Sequence, residues 1–101
     1  MTRFALFSFK EDELMQTLSF IKRHEVLRRL GISKSTLRNH ILDKLFPPAV
    51  VIGGAYAWPV AEVNLICRAY LRNKSEFFIR QLVEKILACR ENGGDYESLE
   101  E

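Results

Sequence analysis

Apolar positions recur at helical spacing in two neighbouring stretches of the chain. Residues 23–30 carry three apolar side chains on one face, and residues 34–42 carry two that are four positions apart. This periodicity predicts two short amphipathic helices. Gly31 can take the left-handed conformation that ends the first helix, and the Ser33 hydroxyl can accept a hydrogen bond from an amide of the second. The pattern therefore predicts two helices joined by a tight turn.

The pattern then changes to that of a β-hairpin. A Phe-Pro-Pro run at 46–48 cannot continue the second helix, because proline lacks an amide donor. Two short β-prone runs, 49–52 and 55–58, are separated by a pair of glycines. Such a pair is typical of a tight hairpin turn, so we expect two antiparallel strands here.

Two longer amphipathic helices complete the pattern. Pro59 suits the first turn of a helix that runs to about residue 73, and Ser75 can cap a last helix that runs to about residue 92. Each has apolar positions that recur at helical spacing. Two glycines end the last helix, and the acidic tail that follows, 93–101, is expected to be disordered.

Together these elements predict a mainly α fold, a winged helix-turn-helix with an additional C-terminal helix. The helix pair and the hairpin wing would occupy residues 20–74, and the extra helix residues 75–92. Residues 1–19 form an N-terminal arm without a firm assignment, apart from a short extended piece at about 18–21. The length of 101 residues fits one domain.

The net charge of +2 hides an asymmetry along the chain. Five of the thirteen acids lie in the last eleven residues, whereas residues 21–44 hold seven Lys or Arg against two acids. A basic patch on a helix pair is the electrostatic footprint of a protein that neutralises phosphates, although an ordinary solvated helix face can carry the same charge. The charge is thus concentrated where the helix-turn-helix pattern lies.

The second helix of such a pair can enter the major groove of DNA. Helical geometry turns Lys34, Ser35, Arg38 and Asn39 outwards, opposite the apolar face. Arginine can bind guanine through two hydrogen bonds and asparagine can bind adenine in the same way, so Arg38 and Asn39 are the best candidates for base contacts. Thr36 lies at the margin, where it would bind a phosphate or cap the helix.

Other candidate DNA contacts lie outside this helix. The first helix and the residue before it carry four cations, Lys22, Arg23, Arg28 and Arg29. They cannot all reach one DNA strand, so we expect one or two of them, with Arg23 and Arg28 as the candidates, to touch the phosphate backbone. Tyr56, in the hairpin, can offer a hydroxyl to a phosphate or insert into a groove. Trp58 fits better as core packing under the hairpin.

Several other classes of protein are not indicated. His24 and His40 have no Ser, Cys or carboxylate at a spacing suited to catalysis, so an enzyme is not predicted. Cys67 and Cys89 are far apart and lack further ligands at zinc spacing, so neither a metal site nor a disulfide is expected. We expect no cofactor and no small-molecule ligand. The apolar runs are too short to span a membrane, which makes a cytoplasmic protein the default.

Several residues between positions 20 and 73 match one family pattern. They are Glu25-Val26, Gly31 through Leu37, Phe46-Pro47, Val50, Ile52-Gly53, Trp58 and Glu62-Val63. In these residues the chain resembles the AlpA-like group of small phage and prophage regulators, and more loosely the excisionase and MerR-type winged-helix domains. The resemblance implies a DNA-binding protein of a mobile element, either a transcription regulator or a factor that biases site-specific recombination towards excision.

Three positions depart from that family pattern. Wings of the family usually carry Arg or Lys near the tip, whereas residues 50–58 contain no charge. Lys44 stands where a glycine commonly follows the recognition helix, and Ile66 stands where the family often has a tryptophan. We therefore expect DNA recognition to rest mainly on helix 34–42.

The apolar stripe of the last helix has two interpretations. Its six large apolar residues can dock on the same molecule or form the seam of a homodimer. We favour a homodimer through residues 75–92, because two-fold pairing doubles the DNA contacts. Two other functions stay open. One is a protein-interaction module that has lost DNA binding, and the other is a phage packaging component, similar to a small terminase subunit, that oligomerises through this helix.

Overall fold

The computed structural model describes residues 19–99, which form four α-helices and a small antiparallel sheet. In chain order the elements are β1 (Phe20–Lys22), α1 (Arg23–Leu30), α2 (Lys34–Leu42), β2 (Val50–Ile52), β3 (Ala55–Pro59), α3 (Val60–Leu71), α4 (Glu76–Glu91) and a 3₁₀ helix (Tyr96–Leu99). The helix-rich class predicted from the sequence is confirmed at this level. The predicted N-terminal arm lies outside the described residues, apart from Ser19.

The connection between α1 and α2 forms as the sequence predicts. Gly31 has a φ of +66° and its amide donates to the Leu27 carbonyl at 2.8 Å, which ends α1 in a left-handed cap. The Ser33 side chain accepts a hydrogen bond from the Thr36 amide at 3.2 Å, which starts α2. Both helices have the predicted bounds, and Gly31 and Ser33 specify the two boundaries that flank the turn.

The sheet has three strands in the order β1-β3-β2, with both pairs antiparallel. Its hairpin turn holds Gly53 and Gly54 at φ values of +57° and +84°, a geometry that residues with a side chain resist. In the pairing of β1 with β3, Ile21 lies opposite Trp58. The sequence indicated the extended piece but not its partner, and this pairing attaches the start of α1 to the hairpin.

The core extends from the helix pair to the hairpin and the last two helices. Val26 of α1 and Leu37 of α2 are buried in one cluster with Phe46 and Trp58. The Trp58 indole donates to the Pro47 carbonyl at 2.9 Å, and its ring packs against Phe46 with a centroid separation of 6.2 Å. The prediction that Trp58 is a packing residue is therefore confirmed.

Most of the α4 stripe packs inside its own chain. Ile79, Leu82, Val83 and Ile86 are buried in the core that α3 also lines. Of the two interpretations of this stripe, docking on the same molecule is the one observed for these four side chains. Because they are buried within the single chain, they expose little surface that could form a dimer seam. A homodimer through residues 75–92 has to use other, exposed residues of this segment.

The prediction that residues 93–101 are disordered is wrong for residues 93–99. After α4, the chain forms the 3₁₀ helix, and Tyr96 is only 5% exposed. Its hydroxyl donates to Oε2 of the buried Glu62 carboxylate at 2.6 Å. The acidic composition of the tail indicates disorder, but the buried Tyr96 ring anchors it to the core. Residues 100 and 101 lie outside the described part of the chain.

The third helix differs slightly from its predicted bounds. Pro59 is the last residue of β3 and caps α3 from outside rather than occupying its first turn. The helix ends at Leu71, two residues early, because Asn73 adopts a left-handed conformation with φ of +57°. The following Ser75 caps α4 as predicted, accepting a hydrogen bond from the Phe78 amide at 3.2 Å.

Candidate nucleic-acid interface

One face of α2 presents a row of polar side chains to solvent. Lys34, Ser35, Arg38 and Asn39 are all exposed, whereas Leu37 on the opposite face is buried. Burial of Leu37 fixes the rotation of the helix about its axis, since residues three and four apart share a face. The structure therefore places four of the predicted contacts side by side on one solvent-facing helix surface.

Thr36 lies at the edge of this surface and belongs to the helix start. It is half-buried, and its hydroxyl lies 2.9 Å from that of Ser33, whose oxygen also accepts from the Thr36 amide. The Ser35 hydroxyl lies 3.3 Å from the same Ser33 oxygen. Of the two roles predicted for Thr36, the geometry favours the helix cap over a phosphate contact.

A shallow basic depression adjoins the start of α2. Its described lining is Lys22, Arg23, His24, Leu27, Lys34 and Tyr56, and none of these residues is acidic. They come from β1, α1, α2 and β3, so the pairing of β1 with the hairpin is what assembles them. The Arg23 guanidinium carbon lies 6.0 Å from the centre of the Tyr56 ring, a cation–π contact that orients both groups. We call this feature the basic depression.

The basic depression brings together three of the predicted contacts and two further residues. Arg23, Lys34 and Tyr56 are distant in sequence, and the depression joins them. His24 was not predicted as a contact, and Lys22 was one of the four cations of which one or two were expected to touch phosphate. Their basic character was visible in the sequence, but the strand pairing that turns them towards Tyr56 was not.

Arg28, another predicted contact, is engaged in an ion pair and does not line the basic depression. Its Nε and Nη2 donate to the two carboxylate oxygens of Glu25 at 2.9 and 2.6 Å, and Arg29 donates to the same carboxylate at 3.0 Å. These hydrogen bonds hold the pKa of Glu25 at about 2, well below its usual value. Glu25 is therefore ionised at neutral pH and offsets part of the positive charge of α1. Arg28 and Arg29 follow Glu25 by three and four positions, so this cluster could have been predicted from the sequence.

The hairpin presents apolar side chains and one hydroxyl. Val51 and Tyr56 lie opposite each other across the two strands, and both are exposed, as is Ile52. The hairpin tip has no cation, as the sequence already showed. Among the hairpin side chains, the Tyr56 hydroxyl is therefore the group placed to hydrogen-bond an anion, next to the cations beside it.

His40 and Cys67 are both half-buried within the fold. The His40 ring stacks on Tyr70 with centroids 6.3 Å apart. Burial raises the pKa of the Cys67 thiol, which disfavours its thiolate form. Within residues 19–99, His, Cys, Asp and Glu form no group of three that could hold a metal ion. None of the helices in this range is both long enough and apolar enough to cross a membrane.

A comparison of the chain with protein-family models, with curated proteins and with solved structures finds no match. The resemblance to the AlpA-like regulators therefore remains a prediction from the residues that carry it. The features that bear on function are the polar face of α2 and the basic depression beside it.

Proposed function

We propose that this protein binds duplex DNA as a winged helix-turn-helix protein, with α2 as its recognition helix. The observation that carries the proposal is the polar face of α2, where Lys34, Ser35, Arg38 and Asn39 project from a helix anchored by Leu37. A helix with one side packed and the other side rich in hydrogen-bonding groups suits insertion into a major groove.

Phosphate contacts would supply much of the affinity. The basic depression contributes Lys22, Arg23 and Lys34, and the Tyr56 hydroxyl lies beside them. Lys34 is also the first residue of α2, where the helix dipole favours an anion. A strand of the DNA backbone that follows the depression would leave the outer face of α2 beside the base edges. Each phosphate neutralised releases counterions, so binding should weaken steeply with salt.

Base recognition is assigned to the middle of α2. Arg38 and Asn39 are exposed on that helix. Arginine can donate two hydrogen bonds to guanine, and asparagine can exchange two with adenine. Arg28 would serve as a weaker phosphate contact, because Glu25 already offsets its charge.

The biological role proposed for this binding is that of a phage or prophage regulator or of an excisionase-like factor. Both roles use the same surface, and they differ in where the DNA sites lie and in how many protomers bind. A homodimer through residues 75–92 would present two recognition helices to a two-fold DNA site.

A salt series tests the phosphate contacts. Fluorescence anisotropy of a labelled duplex of arbitrary sequence, at rising salt, should give a linear decrease of log affinity with log salt. The double variant Arg23→Ala/Lys34→Ala should bind more weakly and lower the slope by about 2. The matched control, Lys74→Ala/Lys85→Ala, removes the same charge from α4 and the turn before it, and should keep the wild-type slope. Equal losses in both variants, or no binding at low salt, would contradict the proposal.

A further inference from the structure

A second groove lies between α3, α4 and the 3₁₀ helix. It encloses about 390 Å³, and none of its described lining residues belongs to α2, the hairpin or the basic depression. Its apolar lining includes Leu65, Ala69, Leu82 and Leu99. This surface is therefore separate from the proposed DNA interface, and we call it the α3–α4 groove.

The rim of the α3–α4 groove is cationic. Lys74 and Lys85 line it and are exposed, and none of the described lining residues is acidic. Arg68 and Arg72 line it as well and also have contacts of their own. A cleft lined by charges of one sign concentrates its field and attracts the opposite charge. The protein thus carries a positive rim around an apolar floor at a place that DNA recognition by α2 does not use.

One end of the α3–α4 groove is arranged for an apolar contact. The Lys74 ammonium lies 4.9 Å from the centre of the Phe78 ring, and Phe78 is partly exposed beside the apolar floor. At the other end, Ser98 and Leu99 of the 3₁₀ helix form a wall. That wall is held in place by the buried Tyr96 hydroxyl on Glu62, so the shape of the groove depends on the ordered tail.

We propose that the α3–α4 groove binds an acidic amphipathic segment of a partner protein. Apolar side chains of that segment, at helical spacing, would pack on the exposed part of Phe78 and on Leu99, which border the nearly buried floor. Its carboxylates would meet the cationic rim. Charge complementarity favours an acidic partner, and the leucine-rich floor favours a peptide over a phosphate backbone. This is the helix-in-groove mode of recognition. The interaction goes beyond the proposed DNA binding and does not depend on it.

The probe for this proposal is a labelled synthetic peptide of about 16 residues, roughly four helical turns. It carries Leu at i, i+3, i+4 and i+7 and Glu at the solvent-facing positions, and a control peptide has Lys in place of every Glu. The full-length protein should bind the acidic peptide at least about tenfold more tightly than the basic one. Equal binding of both peptides would overturn the proposal, as would the absence of binding.

Variants locate the peptide on the molecule. Lys74→Glu and Lys85→Glu change exposed side chains, so both proteins should fold, and each should weaken the acidic peptide at least about tenfold. Arg38→Ala, on α2, should leave peptide affinity unchanged. Amide chemical shifts should move at Leu65, Ala69 and Leu99 when the peptide is added. The proposal fails if Lys85→Glu keeps wild-type peptide affinity, if shifts move on α2 instead, or if Lys85→Glu weakens duplex DNA more than the peptide.

Discussion

At the scale of single residues, Lys44 and Asn73 adopt left-handed backbone conformations that glycine adopts more easily. Lys44 follows α2 with φ of +63°, and its amide donates to the Ile41 carbonyl at 3.1 Å. Asn73 follows α3 in the same conformation. A left-handed residue with a Cβ costs about 1 kcal/mol relative to glycine, and asparagine tolerates it better than lysine does. Lys44 is therefore a position of backbone strain.

Replacing Lys44 tests that strain. Lys44→Gly should raise the free energy of unfolding by about 0.5 to 1 kcal/mol, since relief of the left-handed strain outweighs the extra freedom of glycine in the unfolded chain. Urea denaturation followed by circular dichroism measures the change. Lys44→Ala removes the same charge but keeps a Cβ, so it should give no gain. Equal stability of the two variants would rule out strain as the cause.

The Glu25 carboxylate limits the positive charge that α1 can offer. Because the folded pKa of Glu25 lies at about 2, below its usual value of 4.5, its ion pairs are intact at neutral pH. Their stabilising effect is present above pH 4.5 and is lost as the pH falls through about 2. The pair with Arg28 is on the surface, where the Arg28 side chain is 72% exposed.

Glu25→Gln should therefore strengthen DNA binding. Removing the carboxylate leaves Arg28 and Arg29 available to phosphates, so affinity for duplex DNA should rise several-fold and the salt slope should steepen by about 1. Glu84→Gln makes the same change at an exposed position of α4 and controls for net charge. Identical affinities of the two variants in anisotropy titrations would mean that α1 does not face the DNA backbone.

At the scale of elements, one buried ion pair joins the C-terminal part of the fold to the hairpin. The fully buried Glu62 of α3 accepts hydrogen bonds from Arg90 Nε and Nη2 of α4 at 2.7 and 2.6 Å, and from the Tyr96 hydroxyl. Arg90 also donates to the Pro48 carbonyl before the hairpin at 2.8 Å. Burial and the Glu62 carboxylate raise the pKa of Tyr96, which keeps the phenol protonated as a donor.

Truncating this cluster should destabilise the whole domain. Arg90→Met leaves the Glu62 charge without its cation and should lower the free energy of unfolding by about 3 to 5 kcal/mol. Tyr96→Phe removes one neutral donor and should cost about 1 to 3 kcal/mol. Arg80→Met is the control, because Arg80 donates to the Asp43 carbonyl at the surface, and it should cost under about 1 kcal/mol.

A second substitution distinguishes the stability lost through an unpaired buried charge from the stability lost through poorer packing. Adding Glu62→Leu to Arg90→Met removes the orphaned carboxylate, so the double variant should recover part of the stability lost in Arg90→Met alone. Thermal unfolding of the three proteins measures this. A double variant less stable than Arg90→Met would show that packing rather than charge dominates at this junction.

Helix ends that depend on neighbouring residues could be predicted from the sequence. Contacts between residues distant in the sequence could not. Gly31, Ser33 and Ser75 specify helix ends through hydrogen bonds to residues at most four positions away, so these boundaries could be predicted. The pairing of Ile21 with Trp58 and the anchoring of Tyr96 on Glu62 join residues more than thirty positions apart. No local pattern encodes such contacts. The basic depression and the ordered tail both depend on them, which is why the sequence did not indicate either.

At the scale of the whole molecule, the packing of α4 against its own chain limits which apolar residues can contact a second copy. With most of its stripe buried, the most exposed apolar residues near the start of α4 are Phe77, which is 70% exposed, and Leu71 before the turn, which is 85% exposed. We expect the proposed homodimer to centre on these two side chains. Burial of an exposed aromatic ring is a large contribution to an interface.

Sedimentation at several protein concentrations tests this assembly. The wild type should shift from monomer to dimer as concentration rises, and Phe77→Glu should remain a monomer at every concentration with unchanged circular dichroism. Glu84→Gln, on the same helix, should dimerise like the wild type. A wild-type monomer that does not change with concentration would remove the homodimer and leave a single α2 for each DNA contact.

In the proposed function, Arg38 and Asn39 on α2 read DNA sequence. The most direct measurement is selection of binding sites from duplexes with a randomised core of about 20 base pairs, followed by affinities for selected and arbitrary sequences. The wild type should yield a consensus. Arg38→Ala and Asn39→Ala should each lower affinity for the selected site by about tenfold to a hundredfold, with little effect on arbitrary DNA. A failure to obtain any consensus, or unchanged discrimination in both variants, would contradict DNA recognition by α2.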